Sequence, residues 1–120
     1  MPDYRRLKVW EKSHQLVLAL YAATAKFPAA ERYGLTAQLR RGGVSIPSNI
    51  VEGCGRRGDG EFKRFLSIAL GSAAEVEYQL LLALDLGLLS TDAHARLTGQ
   101  ISEVGRMLSA LHRTVRKANS

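Results

Sequence analysis

A chain of 120 residues is long enough to bury a core without staples, and its single cysteine leaves no disulfide to form within it. With 46% hydrophobic and 23% charged residues it has the balance of a folded protein, which excludes a disordered one. Lys and Arg number 17 against 11 acids, a net charge of +6, and most of the cations are arginine, the side chain shaped to grip phosphate. Composition alone leaves two readings of that excess open: a polyanionic partner, most simply nucleic acid, or incidental basicity.

The opening "MPDYRRLKVWEKSH" is too polar for the core of a signal peptide, and the apolar run "LLLALDLGLL" is too short to span a bilayer. A cytoplasmic protein with no membrane partner is therefore expected. A first helix is predicted from about Tyr4 to Lys26, with Leu7, Trp10, His14, Val17, Tyr21 and Thr24 as its apolar stripe and Leu16, Leu20 and Phe27 widening it. Pro28 stops it, and the next helix starts near Glu31 or after Gly34.

The second helix contains an unusual stretch, "RRGGVSIPSNIVEGCGRRGDGEF". Leu35, Leu39, Gly42, Ile46, Ile50 and Gly53 share one stripe, so the segment is amphipathic despite Pro47. Proline removes a backbone donor and its ring presses on the carbonyl four residues back, at Gly43. Adjacent glycines accommodate a bend there, and Ser45, Ser48 and Asn49 are short polar groups able to satisfy what it frees. A kinked or briefly interrupted helix is predicted, ending in the glycine-rich turn "GCGRRGDG".

The third helix runs from about Gly60 to Leu86 on a core stripe of Phe62, Leu66, Ala69, Ala73, Val76, Leu80 and Ala83. Its second half is apolar around most of its circumference, which points to a second buried face and hence to self-association, against the alternative of a central helix in a monomer. The fourth helix has a heptad seam of Leu97, Ile101, Val104, Leu108, Leu111 and Val115. Ser90, Thr91 or Asp92 is placed to cap its start, and Arg113, Arg116 and Lys117 complement its negative end. Residues 1–120 thus read as one all-α domain, an antiparallel up-and-down four-helix bundle with a proline-kinked second helix.

Catalytic chemistry is not visible. Gly53, Gly55 and Gly58 match a dinucleotide fingerprint in letters, but a helix rather than a strand precedes them, so a turn is the better account. Glu11 and His14 have the spacing of one half of a di-iron site, and no second copy exists. Neither a metal, a cofactor nor an enzymatic activity is expected; a pocket gathering Glu52, Glu75 and His14 would argue otherwise. Cys54 has Arg56 and Arg57 nearby in sequence, which would lower its pKa, though a packed residue is the simpler reading.

A polar stripe of Arg41, Ser45, Asn49, Glu52 and Arg56 reads either as a surface site or as an internal network. The favoured reading is a structural network of Ser45, Asn49, Glu52, Ser72, Glu75 and Gln79, with an acid balancing an arginine. Arg40, Arg41, Arg56, Arg57, Lys63 and Arg64 are the candidate contacts to RNA or DNA, the arginines of the glycine-rich turn above all. With no aromatic platform for bases and no helix-turn-helix signature, such contacts are expected to be phosphate-directed and salt-sensitive.

The segments "LKVWEKSHQLVLALY", "ERYGLTAQLRRGGVSIPSNIVEGCGR" and "EFKRFLSIALGSAAEVEYQLLLALDLG" together resemble the bacterial four-helix-bundle proteins encoded in intervening sequences of 23S ribosomal RNA genes. The resemblance covers about residues 4–90 and falls on Arg40, Arg41, Ser45, Pro47, Asn49, Glu52, Gly53, Arg56, Phe65, Gly71, Ser72 and Glu75. Gly43 and Cys54 stand where alanine and a bulky aromatic are expected. The resemblance implies a bundle without established activity. It also implies homopentamers like the related accessory variability determinant of diversity-generating retroelements, a nucleic-acid-binding partner of a reverse transcriptase. A protein-interaction scaffold, or an accessory subunit of such an enzyme, is the alternative function.

Overall fold

The computed structural model describes residues 3–115. A single 3-10 turn, Tyr4–Arg6, leads into helix α1 (Lys8–Thr24), and a second, Ala29–Glu31, precedes α2 (Leu35–Gly55). Helices α3 (Asp59–Asp85) and α4 (Thr91–Thr114) follow after short connections, and no strand occurs among the described residues. The helices pack as a ring, α1 on α2, α2 on α3, α3 on α4 and α4 back on α1, in a body of 49 × 23 × 22 Å. That is an antiparallel four-helix bundle.

Each helix end has a local cause. Asp3 Oδ1 accepts from the backbone N–H of Arg5, and the extended Leu7 separates the first turn from α1, so the helix expected from Tyr4 is two elements. Pro28 ends the α1 connection, and α2 starts directly after Gly34. Gly58 takes φ 83°, a left-handed conformation that glycine adopts at no cost, and so turns the chain into α3. Ser90 Oγ accepts from Ala93 N–H at 3.1 Å and caps α4. Arg116 and Lys117, read as complementing the end of α4, lie outside the described residues.

The core stripe of α3 and most of those of α2 and α4 are buried as expected, while Leu111 and Val115 at the end of α4 are half-buried. The phase of α1 differs. Its core face is Val9, Ser13, Leu16, Leu20 and Thr24, while His14 and Tyr21 are exposed and Trp10 and Val17 half-buried. Trp10, His14 and Tyr21 are amphipathic side chains that cover the flank of the α1–α2 seam, and so mimic a core stripe in sequence.

Helix α2 is not interrupted at Pro47, which is itself buried. It lies close to its neighbours because its core side is small. A Cβ at Gly42 would sit 2.9 Å from Val76 Cγ2, and one at Gly43 only 2.5 Å from Leu20 Cδ1. Helix α3 has an eighteen-residue window of mean hydropathy 1.2, high enough to cross a membrane by length and composition. Its apolar stripe is packed on α2 and α4, as an amphipathic helix of a bundle requires.

Candidate nucleic-acid interface

The α2–α3 seam carries the polar stripe. Ser45 Oγ and Ser72 Oγ are hydrogen-bonded across it at 2.8 Å, with Ser72 buried. Asn49 Nδ2 donates to Ser45 O at 2.7 Å and to Ser45 Oγ at 3.0 Å, so α2 braces its own backbone two residues either side of Pro47. Alongside lies a crevice of about 410 Å³ lined by Gln38, Arg41, Gly42, Ser45, Ser72, Glu75 and Gln79. Gln79 Oε1 is buried in it without a hydrogen-bond partner among the described residues. The seam therefore brings Ser45, Asn49 and Ser72 into one network and sets Glu75 and Gln79 beside it. Glu52 is not part of it: its carboxylate faces solvent and pairs with Arg56 at 3.3 Å.

The candidate cations divide into tied and free. Arg40 is structural. Its Nε donates to the buried Thr24 Oγ1 at 2.9 Å, Nη2 to Tyr21 O at 3.3 Å, and its guanidinium lies 4.4 Å from the Tyr21 ring centre. Those contacts satisfy one carbonyl and one hydroxyl at the end of α1 and tie it to α2. Arg64 pairs with Glu61 at 3.0 Å and holds that carboxyl below its usual range. Arg56 and Arg64 lie 5.2 and 4.5 Å from the Phe65 ring, bracketing it at the start of α3. Arg41, Arg57 and Lys63 form no ion pair among the described residues.

Topology gathers most of the cations at one end. The Tyr4–Arg6 turn packs against α1 and α2, and the α2–α3 turn is at the same end. Ser67 Oγ meets His112 Nε2 at 3.0 Å, which brings in the last turn of α4. Arg5, Arg6, Lys8, Arg56, Arg57, Lys63, Arg64 and Arg113 are therefore neighbours at this end, although they span the whole chain. At the opposite end Lys26, Arg32, Arg40 and Arg96 are nearly balanced by Glu31, Asp85 and Asp92, whereas Asp3, Glu11, Glu52, Asp59 and Glu61 leave the cations of the basic end in excess.

A second feature of the basic end is absent from the sequence reading, which found no aromatic platform. The extended Leu7 returns the Tyr4 ring to Trp10, edge to face at 4.9 Å, and Trp10 stacks on His14 at 5.2 Å with their planes 6° apart. The His14 spacing one turn after Trp10 was the only sequence signal for it. Trp10 also lines a crevice of about 360 Å³ with Pro47, Ser48, Val51, Glu52 and Gly55. Glu52 lines this crevice, Glu75 lines the polar one, and His14 lines neither. No cluster of three or more metal-ligating side chains occurs among the described residues.

Cys54 is half-buried, and burial pushes its thiol up from the ordinary value rather than down. The arginines two and three residues on do not reverse that, because Arg56 faces Glu52 and Phe65.

The family model of the 23S rRNA-intervening sequence protein matches residues 5–110. The chain belongs to that family. Its fold is shared by a Bacteroides thetaiotaomicron protein of unknown function from the S23 ribosomal protein family, whose crystal structure superimposes with a TM-score of 0.80 at 24% identity. The match covers 88% of this chain and 99% of that one. No curated protein matches the sequence. The matched span takes in the α2–α3 seam and all of the basic end but Arg113.

Proposed function

We propose that this intervening-sequence protein is a homo-oligomeric bundle, a pentamer by resemblance, that performs no catalysis and holds RNA or DNA through phosphate contacts from its basic end. The supporting observation is the gathering of Arg5, Arg6, Arg57, Lys63 and Arg113 at one end while the other end is nearly balanced. A cation field of this shape attracts a polyanion without selecting a sequence. Self-association is supported by Tyr78, Leu81 and Leu86, which leave 62%, 46% and 58% of their surface exposed on the outer side of α3.

One observation favours a second reading. The α3–α4 groove, about 550 Å³, is lined by Ala73, Ala74, Ser102, Gly105 and Ser109, small enough for a partner helix to approach. In that reading the protein is a scaffold or an accessory subunit, for example of a reverse transcriptase, and its charge is incidental.

The test compares labelled RNA and DNA binding by the wild type, by Arg57→Glu/Lys63→Glu, and by Lys26→Glu/Arg96→Glu. Loss confined to the first variant supports nucleic-acid binding at the basic end. Equal loss in both, or no binding at low salt by any of the three, contradicts it and favours the scaffold.

A further inference from the structure

The aromatic stack at the basic end has no role in the phosphate contacts, and it is built in an unusual place for a structural cluster. His14 is exposed, Trp10 is half-buried, and both are off the core face that α1 turns inward. Trp10 packs one edge against the core, and the exposed His14 ring stacked on it extends a flat polarisable surface outward. The surroundings carry the charge that a nucleotide requires. The Arg5 guanidinium lies 5.2 Å from the centre of the Tyr4 ring that braces Trp10. On the other side Glu52, which lines the crevice, pairs with Arg56 at 3.3 Å in an exposed and therefore weak ion pair. Between them the crevice is walled by the Pro47 ring and Val51, apolar surfaces against which a planar base packs, and Ser48 supplies a polar atom.

We propose that the Tyr4–Trp10–His14 stack and its adjoining crevice bind an unstacked base of a single-stranded nucleic acid, with Arg5 and Arg56 on the flanking phosphates. The proposal rests on the reading that the basic end binds nucleic acid and narrows it to strands whose base faces are free. In a duplex those faces are buried in the stack, so a ring platform reaches them only in single strands, loops or ends. Every base has such a face, so the site is tolerant of sequence. RNA and DNA share this chemistry.

Trp10 is the one tryptophan of the chain, so its fluorescence reports this site alone. Emission is followed while twelve-nucleotide oligo(U), oligo(dT) and a duplex of equal length are added, with affinities read separately from the anisotropy of an end label. The expected result is quenching by the single strands and little by the duplex. Trp10→Ala should weaken single-strand binding about tenfold and leave duplex binding unchanged. His14→Ala, a change at an exposed position that spares the fold, should weaken it about threefold. Comparison of oligo(U) with oligo(dT) distinguishes the two sources.

Labelled strands that bind without quenching, and with the same affinity in His14→Ala and Trp10→Ala, overturn the platform while leaving the basic end as the binding surface. Absence of all binding at low salt overturns the underlying reading as well. A change in the mass of the particle on His14→Ala, with strand affinity intact, assigns the aromatic stack to a contact between copies and overturns the proposal.

Discussion

The close approach of α1 and α2 gives a prediction whose sign differs between two otherwise identical substitutions. Gly43 faces Leu20, which is fully buried, and a Cβ there would meet Leu20 Cδ1 at 2.5 Å. Either the buried Leu20 side chain or the helix must shift to admit the methyl group, so Gly43→Ala carries an overpacking cost of about 1–3 kcal/mol. Replacing a mid-helix glycine by alanine returns about 1 kcal/mol of helix propensity. The net is a loss of about 0–2 kcal/mol. Gly71, in the middle of α3, has nothing within 4 Å of the same added atom, so only the propensity gain of about 1 kcal/mol applies. For a domain of this size 1 kcal/mol moves Tm by about 4 °C, which separates the two variants by about 4–12 °C. Thermal and urea unfolding followed by circular dichroism, at one fixed protein concentration because assembly stabilises by mass action, reads the difference. Equal shifts of the same sign in both variants would refute the packing of α1 on α2 described above.

Arg40→Ala should cost about 1–2 kcal/mol in urea unfolding, because it removes two hydrogen bonds and a ring contact at the end of α1, while nucleic-acid affinity stays within about twofold. A tenfold loss of affinity with stability intact would instead make Arg40 a ligand contact. Gln79→Met should leave the protein unchanged or more stable by about 1 kcal/mol, since Oε1 is buried without a partner; a clear loss in the same unfolding assay would show that the oxygen is satisfied. Cys54 should react with iodoacetamide more slowly than a free thiol at pH 8, because burial raises its pKa and reduces the thiolate fraction; faster reaction would contradict the direction of the shift.

The bundle was legible because its information is local and periodic. The heptad seam of α4 and the seven-residue stripe of α3 lie in one register with the buried face, and Ser90 and Gly58 act where capping and turn chemistry put them. The phase of α1 was misread because Trp10, His14 and Tyr21 count as stripe residues by spacing, whereas only packing against α2 decides that they cover a flank. The site was less legible still. Arg40 is tied to residues sixteen and nineteen positions away, and sequence separation hides such a partner. Glu52 left the expected network for Arg56 since the nearest cation lies one turn on along the same face. The aromatic stack depends on the extended Leu7, a single backbone conformation that no periodicity encodes.

The most direct test of phosphate recognition at the basic end is the salt dependence of nucleic-acid affinity in the wild type and in Arg57→Glu/Lys63→Glu. The account predicts a linear fall of log K with log salt, shallower in the variant by about two phosphate contacts' worth of released counterions. A flat dependence in the wild type, or an unchanged slope in the variant, would contradict it.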